Sequence, residues 1–251
     1  MPKLNQSTSV AVQQIGGSNF TFTGARIDEL GATEYTLVTI AVDETGSVYG
    51  FDKELRDTLV TAVESCKRSP RSDNLLVRVV TFGSQHVNGV NEIHGFVPLA
   101  DIDVNDYPAI QPGGATPLND AVYSGFGASN RYAKNLADND FGVNAIVFVI
   151  TDGGENASVA SMKMVKDEAQ AAIRSESLES IVSILIGVNA AGCSGLLSNF
   201  QQEAGMTHYV DAGDATKARL AKLAGYISQS VSSQSQALGT GGPSQLISAT
   251  I

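Results

Sequence analysis

Five oxygen-bearing side chains, carried on three short segments far apart in the chain, could together hold a hard metal ion. The segments are Asp43-Glu44-Thr45-Gly46-Ser47, Gly113-Gly114-Ala115-Thr116-Pro117-Leu118 and Thr151-Asp152-Gly153. Asp43, Thr45 and Ser47 fall on every second residue, so in extended backbone their side chains project the same way. Gly46 and Gly50 let the chain turn sharply behind them. Joined by Thr116 and Asp152 they make two carboxylates and three hydroxyls, with no His or Cys. Such a set suits Mg2+ first, with Mn2+ or Ca2+ next, and does not suit zinc or copper. An Asp-x-Ser/Thr-x-Ser/Thr triple alone recurs by chance on the order of once in a chain this rich in Ser and Thr. What carries weight is three segments in one order, each at a strand end or beside one. The bland alternative is that Asp43 and Asp152 merely cap the helices that follow them.

The elements that must position these residues alternate between β-rich runs and helical spacing from Glu34 onward. That is the pattern of an α/β, doubly wound, mostly parallel sheet with helices on both faces. Strands are expected at Tyr35 to Val42, Leu75 to Phe82, Val143 to Ile150, Ile181 to Val188 and His208 to Val210. His94 to Leu99 contains a proline and is expected to be a short edge strand. Helices are expected from Phe51 to Cys66, from Pro117 to Leu136 with the proline in the first turn, and from Ser161 to Arg174. A turn or two should follow near Leu196 to Glu203. A last helix runs through Leu220, Leu223, Ile227 and Val231, with Asp214 as its N-cap. In such sheets the ligand crevice opens beyond the carboxyl ends of the strands, where the strand order reverses.

Two segments fall outside this plan. Residues 1–33 carry alternating patches at Ser9 to Val12 and Phe20 to Thr23 around Gly16-Gly17, which predicts an extra β-hairpin on one sheet edge. Residues 233–251 are rich in Ser, Gln and Gly and read as a disordered tail, or else as one that docks through Leu246 and Ile247. The α/β domain is thus expected to span 34–232, with no internal repeat.

The chain of 251 residues is 43% hydrophobic, with 16 Lys and Arg against 26 Asp and Glu and a formal net charge of -10. It offers no basic excess for nucleic acid or for anionic lipid. The N-terminus lacks the apolar core of a secretory signal, and no apolar run is long enough to span a bilayer. Cys66 falls on an apolar stripe and Cys193 in a loop, so a reducing cytoplasmic setting is expected.

DETGS, GGATPL and ITDGGEN, in that order, resemble the three parts of the metal-ion-dependent adhesion site (MIDAS) of von Willebrand factor A (vWA) domains, over roughly residues 34–232. The pattern is closest to intracellular bacterial A domains, including the tellurite-resistance (TerY-like) stress type. Thr45 stands where the usual motif has Ser. The resemblance implies that Thr45, Ser47 and Thr116 contact the ion directly or through water, and that Asp43 and Asp152 hold it mostly through water. It also implies that a partner protein's Asp or Glu carboxylate fills the open position, with a possible coupled shift of the last helix. Gly114, Gly153, Glu155 and Asn156 would form the partner-binding rim, although Glu155 and Asn156 could equally be plain loop residues. The implied function is metal-dependent protein–protein interaction in a bacterial stress-response module, not catalysis. Two alternatives are a scaffold with a vestigial site and a Mg2+-dependent hydrolase or phosphotransferase. The latter meets Thr45 where a phosphoaspartate enzyme needs a second Asp. Asp101, Asp103 and Asp106 read as a solvated loop, and His86, His94 and His208 as structural or surface residues.

Overall fold

The computed structural model describes residues 9–242 and 246–249. Eight strands form a single sheet: β1 (Val10–Gln14), β2 (Thr21–Ala25), β3 (Glu34–Asp43), β4 (Leu75–Phe82), β5 (Val90–Pro98), β6 (Gly142–Thr151), β7 (Ile181–Gly187) and β8 (His208–Asp211), in the order β1-β2-β5-β4-β3-β6-β7-β8. The helices are α1 (Asp52–Cys66), α2 (Leu118–Ala137), α3 (Met162–Arg174), α4 (Ser194–Ala204) and α5 (Lys217–Thr240). Strands β4, β3, β6, β7 and β8 run parallel, whereas β5 is antiparallel to β4.

Side-chain alternation sorts the core into two layers. Val38, Ile40 and Val42 of β3, with Ile146, Phe148 and Ile150 of β6, pack beneath α1 and α5. Leu37 and Ala41, with Ala145, Val147 and Val149, pack beneath α2, α3 and α4. Because both faces are covered, β3 and β6 are apolar almost throughout, as buried parallel strands must be.

From β3 the chain moves through α1 to β4 on one side, and from β6 through α3 to β7 on the other. The sheet therefore changes direction between β3 and β6, which pair side by side up to Val42 and Ile150. Asp43 and Thr151 lie just past that last pair, at the topological switch point where open α/β sheets bind ligands.

The structure departs from the sequence-based expectations in four places. β5 starts at Val90 and is not an edge strand, because β2 lies outside it in a parallel pairing at Gly24 and Phe96. Pro98 is tolerated as its last residue. Pro117 sits at the N-cap of α2, not inside its first turn. The cap of α5 is Thr216, whose side chain accepts from the Arg219 N–H, and not Asp214. Finally, α5 runs on to Thr240, burying Gln234, Ser235 and Leu238, so residues 233–240 are helical despite their Ser and Gln content. A polar tract can stay helical when its buried polar groups find partners, as the Gln234 amide nitrogen and the Ser235 hydroxyl do here. In the tail, Ile247 and Ala249 pack partly buried against the core, while Leu246 is exposed.

The expected hairpin is present, with β1 antiparallel to β2 from Val10–Ala25 to Gln14–Thr21. Among the described residues no helix is long and apolar enough to cross a membrane.

Candidate metal centre

Three loops at this end of the sheet are stitched together by backbone hydrogen bonds. The Glu44 N–H donates to the Phe82 carbonyl, Gly113 N–H to Glu44, Gly46 N–H to Gly114, and Ser84 N–H to Ala115. Two glycines with positive φ shape these loops, and the second of them allows a close approach. Gly50 has φ +100 and Gly114 φ +69, and a Cβ on Gly114 would stand 2.5 Å from the Ser84 Oγ. Any larger residue at 114 would push the second segment away from the loop that follows β4.

Within this frame the sequence-selected residues converge. Asp43 is fully buried; its Oδ1 accepts from the Thr45 N–H at 2.8 Å, and its Oδ2 from the Thr151 hydroxyl at 2.6 Å. Thr45 Oγ1 lies 2.9 Å from Ser47 Oγ, and Ser47 donates to Asp152 Oδ1 at 2.6 Å. That bond joins the first and third segments. Thr116 Oγ1 would be 3.4 Å, and Ser47 Oγ 4.0 Å, from a Cβ placed on Gly153, so the three segments meet beside that glycine.

Burial pushes the Asp43 carboxyl up to about 6; hydrogen bonds from Thr151 and Thr45 oppose the rise and the Asp152 charge adds to it. Burial also raises Asp152, against the Ser47 hydrogen bond. Neither carboxylate is in an ion pair with a Lys, Arg or His among the described residues. One buried and one half-buried carboxylate without a countercharge, beside three hydroxyls, form a donor set that fits a divalent cation. No cluster of three His, Cys, Asp or Glu side chains suited to a metal occurs among the described residues.

The rim residues divide. Asn156 is exposed and its Oδ1 accepts from the Thr116 N–H at 2.7 Å, while its own N–H donates to the Thr116 carbonyl. Asn156 thereby ties the third segment to the second. Glu155 is committed internally: it accepts from the N–H groups of Asn119, Ala157 and Ser158 and from the Ser158 hydroxyl. It caps the start of α2, where a carboxylate belongs.

Several participants escaped the sequence reading. Thr151 orients Asp43, and only its place in the strand-terminal Thr-Asp-Gly hinted at that. Glu44 is buried; its Oε1 accepts from the Gln111 N–H, and its Oε2 lies 2.8 Å from His86 Nε2. The thiol of Cys193 donates to the Asp152 carbonyl at 3.2 Å. Asp120 accepts from the N–H groups of Val159 and Ala160, fixing the loop that follows the third segment. These contacts join residues from 39 to 108 positions apart, which no local spacing reveals.

No protein-family model and no curated protein sequence matches the chain. Solved structures with the same architecture include the pilus adhesin SpaC from Lactobacillus rhamnosus GG, with a TM-score of 0.59 and 12% identity over 90% of this chain and 34% of SpaC. Proximal thread matrix protein 1 from the mussel byssus has a TM-score of 0.52 and 17% identity over 80% of this chain and 47% of its own. The mussel protein is also known with a zinc-occupied MIDAS motif, at a TM-score of 0.50. The chain thus spans about a third of SpaC and about half of the mussel protein. At these identities the likeness is one of fold, a vWA/Rossmann-like doubly wound α/β domain.

Proposed function

We propose that the chain is a metal-dependent protein-interaction domain whose Asp43, Thr45, Ser47, Thr116 and Asp152 hold a divalent cation, Mg2+ before Mn2+ or Ca2+. The observation that carries this reading is the Ser47–Asp152 hydrogen bond of 2.6 Å, which brings the first and third segments together beside Thr116. Bound there, the cation offers an open position to an anionic oxygen, which a partner's Asp or Glu would supply. The protein's part is preorganisation. Asp43 is locked by Thr45 and Thr151, and Ser47 donates to Asp152 while accepting from Thr45, which leaves one serine lone pair for a cation. A zinc-occupied MIDAS in the mussel protein of like fold supports a divalent cation at such a site, although zinc is not the ion that these oxygen donors favour. The motif resemblance supports a cytoplasmic role in a bacterial stress-response module, by analogy alone.

Titration calorimetry tests the proposal. Mg2+, Mn2+ or Ca2+ should give a saturable heat that disappears in Asp43→Ala and Asp152→Ala. At free ion a hundredfold above Kd, thermal unfolding should report about 2.7 kcal/mol of added stability. No saturable heat with any of the three ions would leave the vestigial scaffold in its place.

A further inference from the structure

Glu44 stands in the middle of the first segment, between Asp43 and Thr45. Alternation along extended backbone turns its side chain away from theirs. Asp43 and Thr45 face the proposed ion, and Glu44 faces the neighbouring loops. It is only 7% exposed, and a carboxylate that deep needs polar partners. Both of its oxygens have one. Oε1 accepts from the Gln111 N–H at 2.9 Å, and Oε2 lies 2.8 Å from His86 Nε2. The Glu44 backbone grips the same two loops, since its carbonyl accepts from the Gly113 N–H at 3.0 Å and from Gln85 Nε2 at 3.1 Å.

Those two loops are the ones that carry and flank Thr116. Gln111 and Gly113 lie on the stretch that leads into it. The loop after β4 reaches the same stretch through Ser84, whose N–H donates to the Ala115 carbonyl at 3.0 Å and whose hydroxyl accepts from the Ala115 N–H at 2.8 Å. One carboxylate thus holds the Thr116 stretch at its start directly, and at Ala115 by way of His86 and Ser84. On the far side the Thr116 N–H is tied to Asn156. Thr116 is the one proposed ligand that the second segment supplies, so its hydroxyl stands where these ties put it.

We infer that Glu44 is a positioning residue of the cation site: it does not touch the ion, and its carboxylate sets where the Thr116 hydroxyl stands relative to Asp43, Thr45 and Ser47. This rests on the metal-dependent reading above. Groups that orient metal ligands without touching the ion commonly contribute about 10- to 100-fold of affinity. The Glu44 charge is a separate matter, because a negative group near the site also attracts a cation at a distance. Glutamine separates the two effects. Its amide oxygen can accept from the Gln111 N–H and its amide nitrogen can donate to a neutral His86, so the clamp stays while the charge goes.

The test is Mg2+ titration calorimetry on the full chain, with amide exchange measured on the metal-free protein. Glu44→Gln should keep Mg2+ affinity within about threefold of wild type. Glu44→Ala should weaken it by at least about tenfold and speed exchange at Gln111 and Gly113. With Thr116→Ala already made, the same Glu44→Ala change should cost no more than about twofold, because no hydroxyl is left to place. Glu44→Leu, which fills the space and accepts no hydrogen bond, takes the place of the Ala variant if that one does not fold. Affinity falling as far in Glu44→Gln as in Glu44→Ala would assign the effect to charge and overturn the positioning role. An equal loss with and without the Thr116 hydroxyl, or an unchanged affinity in Glu44→Ala, would overturn it too. In each of these cases the wild type still gives a saturable Mg2+ heat. Absence of that heat from the wild type would instead overturn the metal reading, and the positioning role with it.

Discussion

Asp43 and Asp120 are both carboxylates shut away from water, and both are held near 6 by that burial. The protein keeps Asp43 at a cost, and Asp43→Asn should therefore raise metal-free stability at neutral pH by on the order of 1 kcal/mol while losing the Mg2+-dependent rise in melting temperature. A variant that melts lower without metal would show that Asp43 is kept for structure. Asp120 allows a pH test away from the proposed ligands. Its folded pKa lies above its ordinary value of 3.8, so the folded state takes up a proton before the unfolded state does. Its contribution is thus fully present below about 4 and is lost as pH rises through about 6. The stability of the wild type minus that of Asp120→Asn should grow as pH falls from about 7 to about 4, measured by urea melts across that range. At this scale the hydroxyls and carboxylates of the site could be picked out from type and spacing, because a two-residue period in extended backbone is a local property. The partners that hold them could not. Thr151 reaches Asp43, and His86 reaches Glu44, only after the strands and loops are in place.

The N-terminal hairpin is held to the sheet by a clasp more than by a ladder. β2 shares a single register pair with β5, Gly24 with Phe96. Beside it the fully buried Arg78 of β4 donates to Glu92 of β5 at 2.7 Å and to the Ser124 hydroxyl of α2 at 3.0 Å. Glu92 in turn accepts from the N–H and hydroxyl of Thr23 in β2. Glu92→Ala would strand a buried guanidinium, so it should cost about 3 kcal/mol in denaturant melts and speed amide exchange in Thr21–Ala25. Loss of stability without faster exchange in β2 would remove the clasp from the account. Sequence periodicity revealed the hairpin, the central strands and four of the five helices nearly to their ends, since each buries one face or both. It misplaced β5 because a proline reads as an edge signal, whereas the hairpin that covers this strand is added from a distant segment. It placed the last cap at Asp214, two residues before the observed Thr216, because both residue types cap helices and only the chain path after β8 decides between them.

For the whole molecule the decisive element is α5, which packs against α1 and across β3 and β6. Its last turns are bound into the body of the domain. The Gln234 side chain donates to the Ala145 carbonyl at 3.3 Å and to the Ser180 hydroxyl at 3.0 Å, and the Gln234 carbonyl accepts from Asn144 at 2.8 Å. Ser235 accepts from Arg71, which also pairs with Glu34. Truncation after Ser232 should therefore lower the melting temperature by several degrees, whereas a disordered tail would be lost without effect. The Ser and Gln content concealed this, because composition reports average solubility and says nothing of which polar groups find buried partners. The anchor also bears on movement. Asn144 and Ala145 lie at the start of β6, and Ser180 just before β7, at the opposite end of the sheet from Asp43 and Asp152. A helix fixed there cannot work as a piston, since sliding it by one turn, about 5.4 Å, would break all three bonds. It can work as a lever, with its fulcrum at Gln234 and its free arm at Lys217 to Leu223, and Mg2+ should then alter amide exchange along that arm while leaving the fulcrum still.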